Sequence, residues 1–144
     1  MTDAVSLVGL AMMAGGLVGL IVRQQVLSAA PAVIVLQAGA VALMVWARLT
    51  FGSRSFHATA SPTRGGLVTA GPYRWLRHPI YASVCLFIWA CVVGHPSWFA
   101  AAMASLATAG GVVRMLAEES LLRGRYPEYA DYARRTRRMV PYVF

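Results

Sequence analysis

The sequence predicts an all-α integral membrane protein with about four transmembrane helices and a cytoplasmic C-terminal amphipathic helix. Three observations carry this reading. Of the 144 residues, 58% are hydrophobic and 12% are charged, whereas a soluble domain runs at about 45–50% apolar and about 25% charged. Four apolar runs of near-spanning length recur along the chain. The cations are also lopsided. All 13 are arginines, set against five acids, for a formal net charge of +8. Arg23 alone falls between the first and second runs; the other arginines lie at or between the ends of the second and third or at or beyond the end of the fourth. Positive residues mark the cytoplasmic side, so both termini are expected there. Such a surplus can also signal nucleic acid, but in so apolar a chain the membrane face is the better reading, and no nucleic-acid partner is expected. The length suits one domain over residues 1–144, with two spans in 1–49 and the motif-bearing part in 65–144.

The first run, Ala4 to Val22, holds no charge. It is too long for a signal-peptide core, and its leader Met1-Thr2-Asp3 lacks Lys and Arg. Gly15 and Gly19 form a small-xxx-small pair that suits close helix contact. The second span starts at Pro31, well placed in a first helical turn, and ends near Trp46 to Leu49. Its Gln37 is expected to bond a neighbouring helix. Residues 50–66 are small, polar and broken by Gly and Pro, which reads as a loop. The third span follows Pro79 and ends at Gly94, short for a perpendicular crossing. A turn at Gly94-His95-Pro96-Ser97 leads to the fourth, Trp98 to Ala117, with Ser97 as its cap. Cys85 and Cys91 sit six residues apart on different helical faces, so free buried thiols are expected, with no metal site. In the tail, Pro127 breaks the chain. Glu128 to Arg138 then reads as a short interfacial helix with Tyr129, Tyr132 and Ala133 along one stripe.

Polar side chains concentrate in two places on the predicted cytoplasmic side. One is the stretch Gly71-Pro72-Tyr73-Arg74-Trp75-Leu76-Arg77-His78-Pro79-Ile80-Tyr81. Gly71-Pro72 forces a turn, and Pro79 leaves His78 extended at a helix mouth. A helix N-terminus seats anions, and Arg77 adds a forked cation. The other is Glu118-Glu119, where the fourth span ends. Adjacent carboxylates at a bilayer edge need partners. Arg114 lies four residues before Glu118, and Arg123 lies four after Glu119, so helical ion pairs are the plain alternative to a functional site.

The stretch LVTAGPYRWLRHPIYAS at 67–83 resembles the signature of the isoprenylcysteine carboxyl methyltransferase family, which is related to the membrane phospholipid N-methyltransferases. The tail EESLLRGRYPEYADYARRTRRMVP at 118–141 resembles the family's second signature. The likeness covers roughly residues 65–144. It implies S-adenosylmethionine as cofactor and a lipophilic small-molecule or prenylated acceptor within membrane lipid. Carried over by residue, His78, Tyr81, Glu118 and Glu119 belong to the cofactor site, and Leu67, Val68, Pro72 and Tyr73 line its adenosine end. Ser83 stands where many members have glycine. Arg77 and Glu119 are the candidate catalytic residues, Arg77 facing the acceptor or the cofactor carboxylate.

Methyl transfer from a sulfonium is an in-line displacement helped mainly by positioning. A carboxylate acceptor needs no base; an amine must first lose a proton, for which a poorly solvated acid such as Glu119 would serve. The expected activity is therefore methylation of an isoprenylcysteine-type carboxylate or a related lipid acid. The alternatives are phospholipid or amine N-methylation, a sterol-reductase-like NADPH enzyme, and a non-catalytic lipid-binding subunit. All-arginine cation usage points to a bacterial inner membrane, with the site facing the cytoplasm. Two openings are expected: a cytosolic one bounded by Val68, Tyr73 and Glu118, and a lateral one between helices, with Arg77 where they meet.

Overall fold

The computed structural model describes residues 2–52 and 66–140. Its helices are α1 (Thr2–Val22), α2 (Pro31–Phe51), α3 (Pro79–Gly94), α4 (Trp98–Arg125) and α5 (Tyr129–Arg135), with a 3-10 turn at Gly71–Arg74. No strand occurs among the described residues; one parallel bridge joins Leu76 and Arg137. Helices α1, α2 and α4 are long and apolar enough to cross a membrane. The 16 residues of α3 reach only about 24 Å. Many large apolar side chains on α1 and α2 face outward, Val8, Ile21, Val35 and Leu49 among them. That arrangement fits lipid rather than water as the surrounding solvent.

Local chemistry sets the ends. Pro31 and Pro79 each open a helix, where the missing N–H is not needed. Ser97 caps α4, its Oγ accepting from the Ala100 N–H at 3.1 Å. Helix α2 runs two residues beyond Leu49, into the stretch expected to be loop. The Thr50 hydroxyl donates back to the Trp46 carbonyl at 2.8 Å, and Gly52 then leaves the helix at φ +68°, a conformation glycine adopts without strain. The rest of that predicted loop, with Arg54, Ser61 and Arg64, lies outside the described residues, as does the chain from Pro141 onward.

Helix α4 packs along α1 on one side and α3 on another, and α3 packs along α2. The α1–α4 contact is backbone-close. A Cβ on Gly9 would lie 2.6 Å from the Gly110 carbonyl oxygen, and one on Gly16 would lie 2.5 Å from that of Met103. The expected Gly15–Gly19 pair is half right: Gly19 meets Met103, while Gly15 faces open space. Helical period identifies candidate faces, but the neighbour decides which small residues are needed. Leu20, Ile88, Cys91, Ala100, Ala104 and Ala107 form the core cluster. Gln37 bonds across helices as expected, donating to the Val26 carbonyl at 2.7 Å and reaching Cys91 Sγ at 3.5 Å. Both cysteines are free.

The tail corrects one expectation. Its helix ends at Arg135, not Arg138, because Thr136 turns extended (φ −123°, ψ 159°) and its hydroxyl bonds the Tyr132 carbonyl at 2.7 Å. The next residues pair instead with the segment before α3. The Arg137 N–H donates to the Trp75 carbonyl (2.9 Å), and the Arg137 and Arg138 carbonyls accept from Arg77 (2.7 Å) and His78 (2.9 Å). The tyrosine stripe exists, with Tyr129 and Tyr132 buried, but it packs inward: the Tyr132 hydroxyl donates to the Tyr73 carbonyl at 2.8 Å.

Candidate functional site

The 3-10 turn sets one wall. Gly71 sits at φ +54°, and a Cβ there would lie 2.5 Å from the Thr50 hydroxyl and 3.2 Å from the Trp46 indole nitrogen. Only glycine lets the turn press so close to the end of α2. Pro72 and Tyr73 are buried beneath it, and the Tyr73 ring packs 5.5 Å from that of Phe51. Burial pushes the Tyr73, Tyr129 and Tyr132 hydroxyls above the usual phenol range, so each stays a protonated donor at neutral pH.

From the turn the chain enters α3 through Arg77 and His78, and α4 brings Glu118 and Glu119 opposite. Glu119 is 1% exposed. Its carboxylate receives Arg77 Nη1 at 3.1 Å, Arg123 Nη2 at 3.2 Å, Arg138 Nε at 3.2 Å and His78 Nε2 at 3.3 Å. His78 bridges the two acids, its Nδ1 lying 3.7 Å from Glu118. Tyr81 donates to Glu118 and accepts from the buried Arg114 Nε at 2.7 Å. Arg114 is also 3.5 Å from Glu118. Both helical ion pairs expected from spacing are therefore present, inside a larger cluster. Four guanidinium groups face two carboxylates, a formal surplus of two positive charges.

Two donors in this region lack aligned partners. Arg77 Nε and the Tyr129 hydroxyl are buried with no well-aligned hydrogen bond, although the phenol and the Arg77 guanidinium lie within hydrogen-bonding reach of each other. Buried orphans cost free energy unless something else satisfies them.

Arg77, His78, Tyr81, Glu118 and Glu119 come together, with Pro72 and Tyr73 adjoining through the turn. Leu67 and Val68 lie half-buried on the chain leading into it, outside the ion-pair cluster. Ser83 is buried and bonds the Ile80 carbonyl at 2.7 Å. Sequence reading missed Arg138 and Tyr129 as members. Their signal was thin: an arginine 19 residues past Glu119 gives no clue that it returns to it.

The chain matches the phospholipid methyltransferase family over residues 26–129. That span takes in the turn, His78, both glutamates and three of the apolar helices. The chain belongs to this family. The family is related to the isoprenylcysteine carboxyl methyltransferases, which the two motifs resemble. Two curated relatives share about half of the chain. A nickel-cobalt-cadmium resistance protein of Alcaligenes xylosoxydans xylosoxydans is 42% identical over 80 residues, 52% of this chain and 36% of that protein. A cobalt-zinc-cadmium resistance protein of Cupriavidus metallidurans is 37% identical over 78 residues, 52% of this chain and 35% of that protein. The match thus spans about a third of each relative's length. No solved structure matches the chain significantly.

A separate cavity of about 840 Å³ opens between α2 and α3. Leu43 and Trp46 line it from α2, and Ala82, Cys85, Leu86 and Trp89 from α3. The turn contributes Pro72, Trp75 and Leu76, and the tail contributes Arg137 and Met139. Leu76 and Arg137 belong to the backbone-paired strip, so that strip stands between this cavity and the Glu119 cluster. None of Val68, Tyr73, Glu118 or Arg77 lines the cavity.

Proposed function

We propose that the protein is an S-adenosylmethionine-dependent membrane methyltransferase acting on a lipophilic acceptor, with an isoprenylcysteine-type carboxylate or related lipid acid as the leading class. The observation that carries the reading is the convergence of Arg77, His78, Tyr81, Glu118 and Glu119. They come from two segments about 40 residues apart and both segments carry the family's motifs. The reading puts the protein in a bacterial inner membrane with four crossings, α3 included, and the site on the cytoplasmic, arginine-rich side.

The donor set fits S-adenosylmethionine. The orphaned Arg77 Nε and Tyr129 hydroxyl suit a carboxylate, and the surplus of guanidinium charge favours an anion there. Glu118, with its side chain 25% exposed, can accept from an ammonium or from ribose hydroxyls. The buried Tyr73 ring and the half-buried Phe51 ring offer an apolar floor for adenine. When bound, the cofactor supplies an electrophilic methyl group. The protein's part is to hold and orient: His78 spaces the two acids, and Arg114 fixes the Tyr81 hydroxyl against Glu118. The oxygens of Glu119 are occupied by three guanidiniums and an imidazole, so Glu119 serves better as the anchor of Arg77 than as a base.

Phospholipid or amine N-methylation is the second reading, favoured by the description of the matched family. The relatives' names attach metal resistance to those proteins; here any such link would run through methylation of a membrane component. Among the described residues, no group of three or more His, Cys, Asp or Glu side chains is placed to hold a metal ion. Calorimetry of the detergent-solubilised protein with S-adenosylmethionine and S-adenosylhomocysteine tests the proposal. Saturable binding of both is expected; binding of NADPH and of neither nucleoside would overturn it.

A further inference from the structure

The exposed face of the tail has no role in the methyltransferase reading. Residues 126–140 hold four arginines against two acids. Arg138 turns inward to Glu119, whereas Arg134, Arg135 and Arg137 are exposed. Arg134 pairs with Asp131 at 3.3 Å, but the two side chains are 79% and 69% exposed, so that pair contributes little. Arg135 Nε donates to the Asp131 carbonyl. The Arg137 side chain makes no ion pair or hydrogen bond among the described residues. The depth of these three is set by their neighbours. They border the same opening as Trp46, Trp75 and Val140, each about half exposed. Tryptophan near the end of a span sits at headgroup level, and Trp46 lies in the last turns of α2. The three guanidiniums therefore stand among headgroups rather than in bulk cytosol.

The backbone links this face to the polar cluster. Arg137 gives its N–H to Trp75 and accepts from Arg77, and Arg138 accepts from His78. Successive residues of an extended chain point to opposite sides, so the strip that turns Arg138 in to Glu119 turns Arg137 out. Beneath it, His78 and Glu119 are buried. The covering chain is hinged on the far side from the bilayer. Helix α4 ends at Arg125, six residues beyond Glu119, about 9 Å further into the cytosol. Residues 126–128 lie between α4 and α5, and the chain then folds back until Arg138 meets Glu119. Closing the strip thus carries Arg134, Arg135 and Arg137 toward the leaflet. Lifting it carries them away by a distance comparable with the Debye length of about 8–10 Å. Closure also crowds four guanidiniums into residues 134–138, and like charges resist that crowding unless anions face them.

We infer that the Arg134, Arg135 and Arg137 face docks on anionic phospholipid headgroups of the cytoplasmic leaflet, and that this docking holds the strip closed over His78 and Glu119. Each arginine near an anionic surface adds to the attraction, which fades within a Debye length. The charge of the membrane thereby regulates access to the buried cluster. An anionic leaflet keeps the strip paired, and a neutral one lets the arginines repel each other and the strip lift. As control of cofactor entry and release, this rests on the methyltransferase reading. As control of the strip, it stands without that reading.

Hydrogen exchange of the full chain in nanodiscs reads the strip without any cofactor. The amides of Arg77, His78 and Arg137 donate the strip's hydrogen bonds. They should exchange about tenfold more slowly when part of the phosphatidylcholine is replaced by phosphatidylglycerol, and amides in the middle of α3 should not change. Raising the salt should erase the difference. The triple variant Arg134→Gln, Arg135→Gln, Arg137→Gln should exchange alike in both lipids, and the matching triple lysine variant should keep the lipid effect, because charge rather than the guanidinium fork carries it. Equal exchange of the parent's strip in the two lipids, or an undiminished lipid effect in the glutamine variant, would overturn the inference. So would equal slowing by soluble glycerol phosphate in phosphatidylcholine nanodiscs, which would make the face a free-anion site. Calorimetry with S-adenosylmethionine on the same samples separates the two proposals. Slowed strip exchange without nucleoside binding in either lipid upholds the docking and removes the methyltransferase; nucleoside binding with lipid-independent strip exchange does the reverse.

Discussion

Glu119→Gln is expected to destabilise the protein by about 3–5 kcal/mol, the cost of leaving a buried charge without its partner. The structure shows where that loss arises. Glutamine keeps the shape but withdraws the charge from three guanidiniums. Arg123, with its side chain 58% exposed, simply returns to solvent; an i,i+4 pair of this kind contributes about 0.2–0.5 kcal/mol. Arg138, 28% exposed, can partly do the same. Arg77 cannot: its side chain is 11% exposed and its Nε already lacks a partner. Most of the penalty therefore belongs to Arg77. The pair Glu119→Leu with Arg77→Met should then recover at least half of it, because replacing both members of a buried pair with apolar groups is often neutral. Unfolding in mixed micelles, followed by circular dichroism, measures all three proteins. A Glu119→Gln variant within about 1 kcal/mol of the parent, below the range expected for breaking a buried pair, or a double variant worse than the single, would refute this reasoning.

Glu118→Gln is the cleaner test of cofactor binding, since Glu118 is more exposed than Glu119. Affinity for S-adenosylmethionine should fall roughly 10- to 150-fold by calorimetry with little change in unfolding; unchanged affinity would reduce Glu118 to an ion-pair role. Gly110→Ala should cost about 1–3 kcal/mol by overpacking, since its Cβ would lie 2.5 Å from the Gly9 carbonyl oxygen. Gly15→Ala should be neutral or stabilising by up to about 1 kcal/mol, and the same micelle unfolding would expose a reversal of that order. In a cysteine-free background, single cysteines at Thr69 and Gly124 should be labelled from the cytoplasmic side, and those at Leu27 and Trp98 from the other. Labelling of Thr69 and Leu27 from one side would end the four-crossing topology.

Much of the helical layout was legible because its signals are local. Pro31, Pro79 and Ser97 announce helix starts, and charge-free runs announce lipid contact. The polar site was half legible. Motif likeness grouped His78 and Tyr81 with Glu118 and Glu119, and i,i+4 spacing foretold two of the ion pairs. What escaped was long-range. Nothing between Thr136 and Arg138 signals a strand, because two or three residues of extended pairing carry no periodicity. The paired segments are about 60 residues apart in sequence. That Arg77 also pairs with Glu119 was not legible, because which carboxylate lies nearest to it is set by the tertiary fold.

The paired strip makes the tail sensitive to length in a way that its composition does not suggest. Two adjacent arginines look interchangeable, yet one belongs to a greasy groove and the other to a buried acid. Deleting Arg137 would leave the groove with a guanidinium but slide Met139 opposite Glu119. Inserting one alanine before Arg137 would drive Arg138 into the place of Met139, beside Tyr81 and Met115. A scan of single deletions and insertions through residues 134–140 should therefore abolish folding or cofactor binding where point substitutions of Arg137 leave both intact. Natural variation in this tail would be expected to change letters freely and to keep the count.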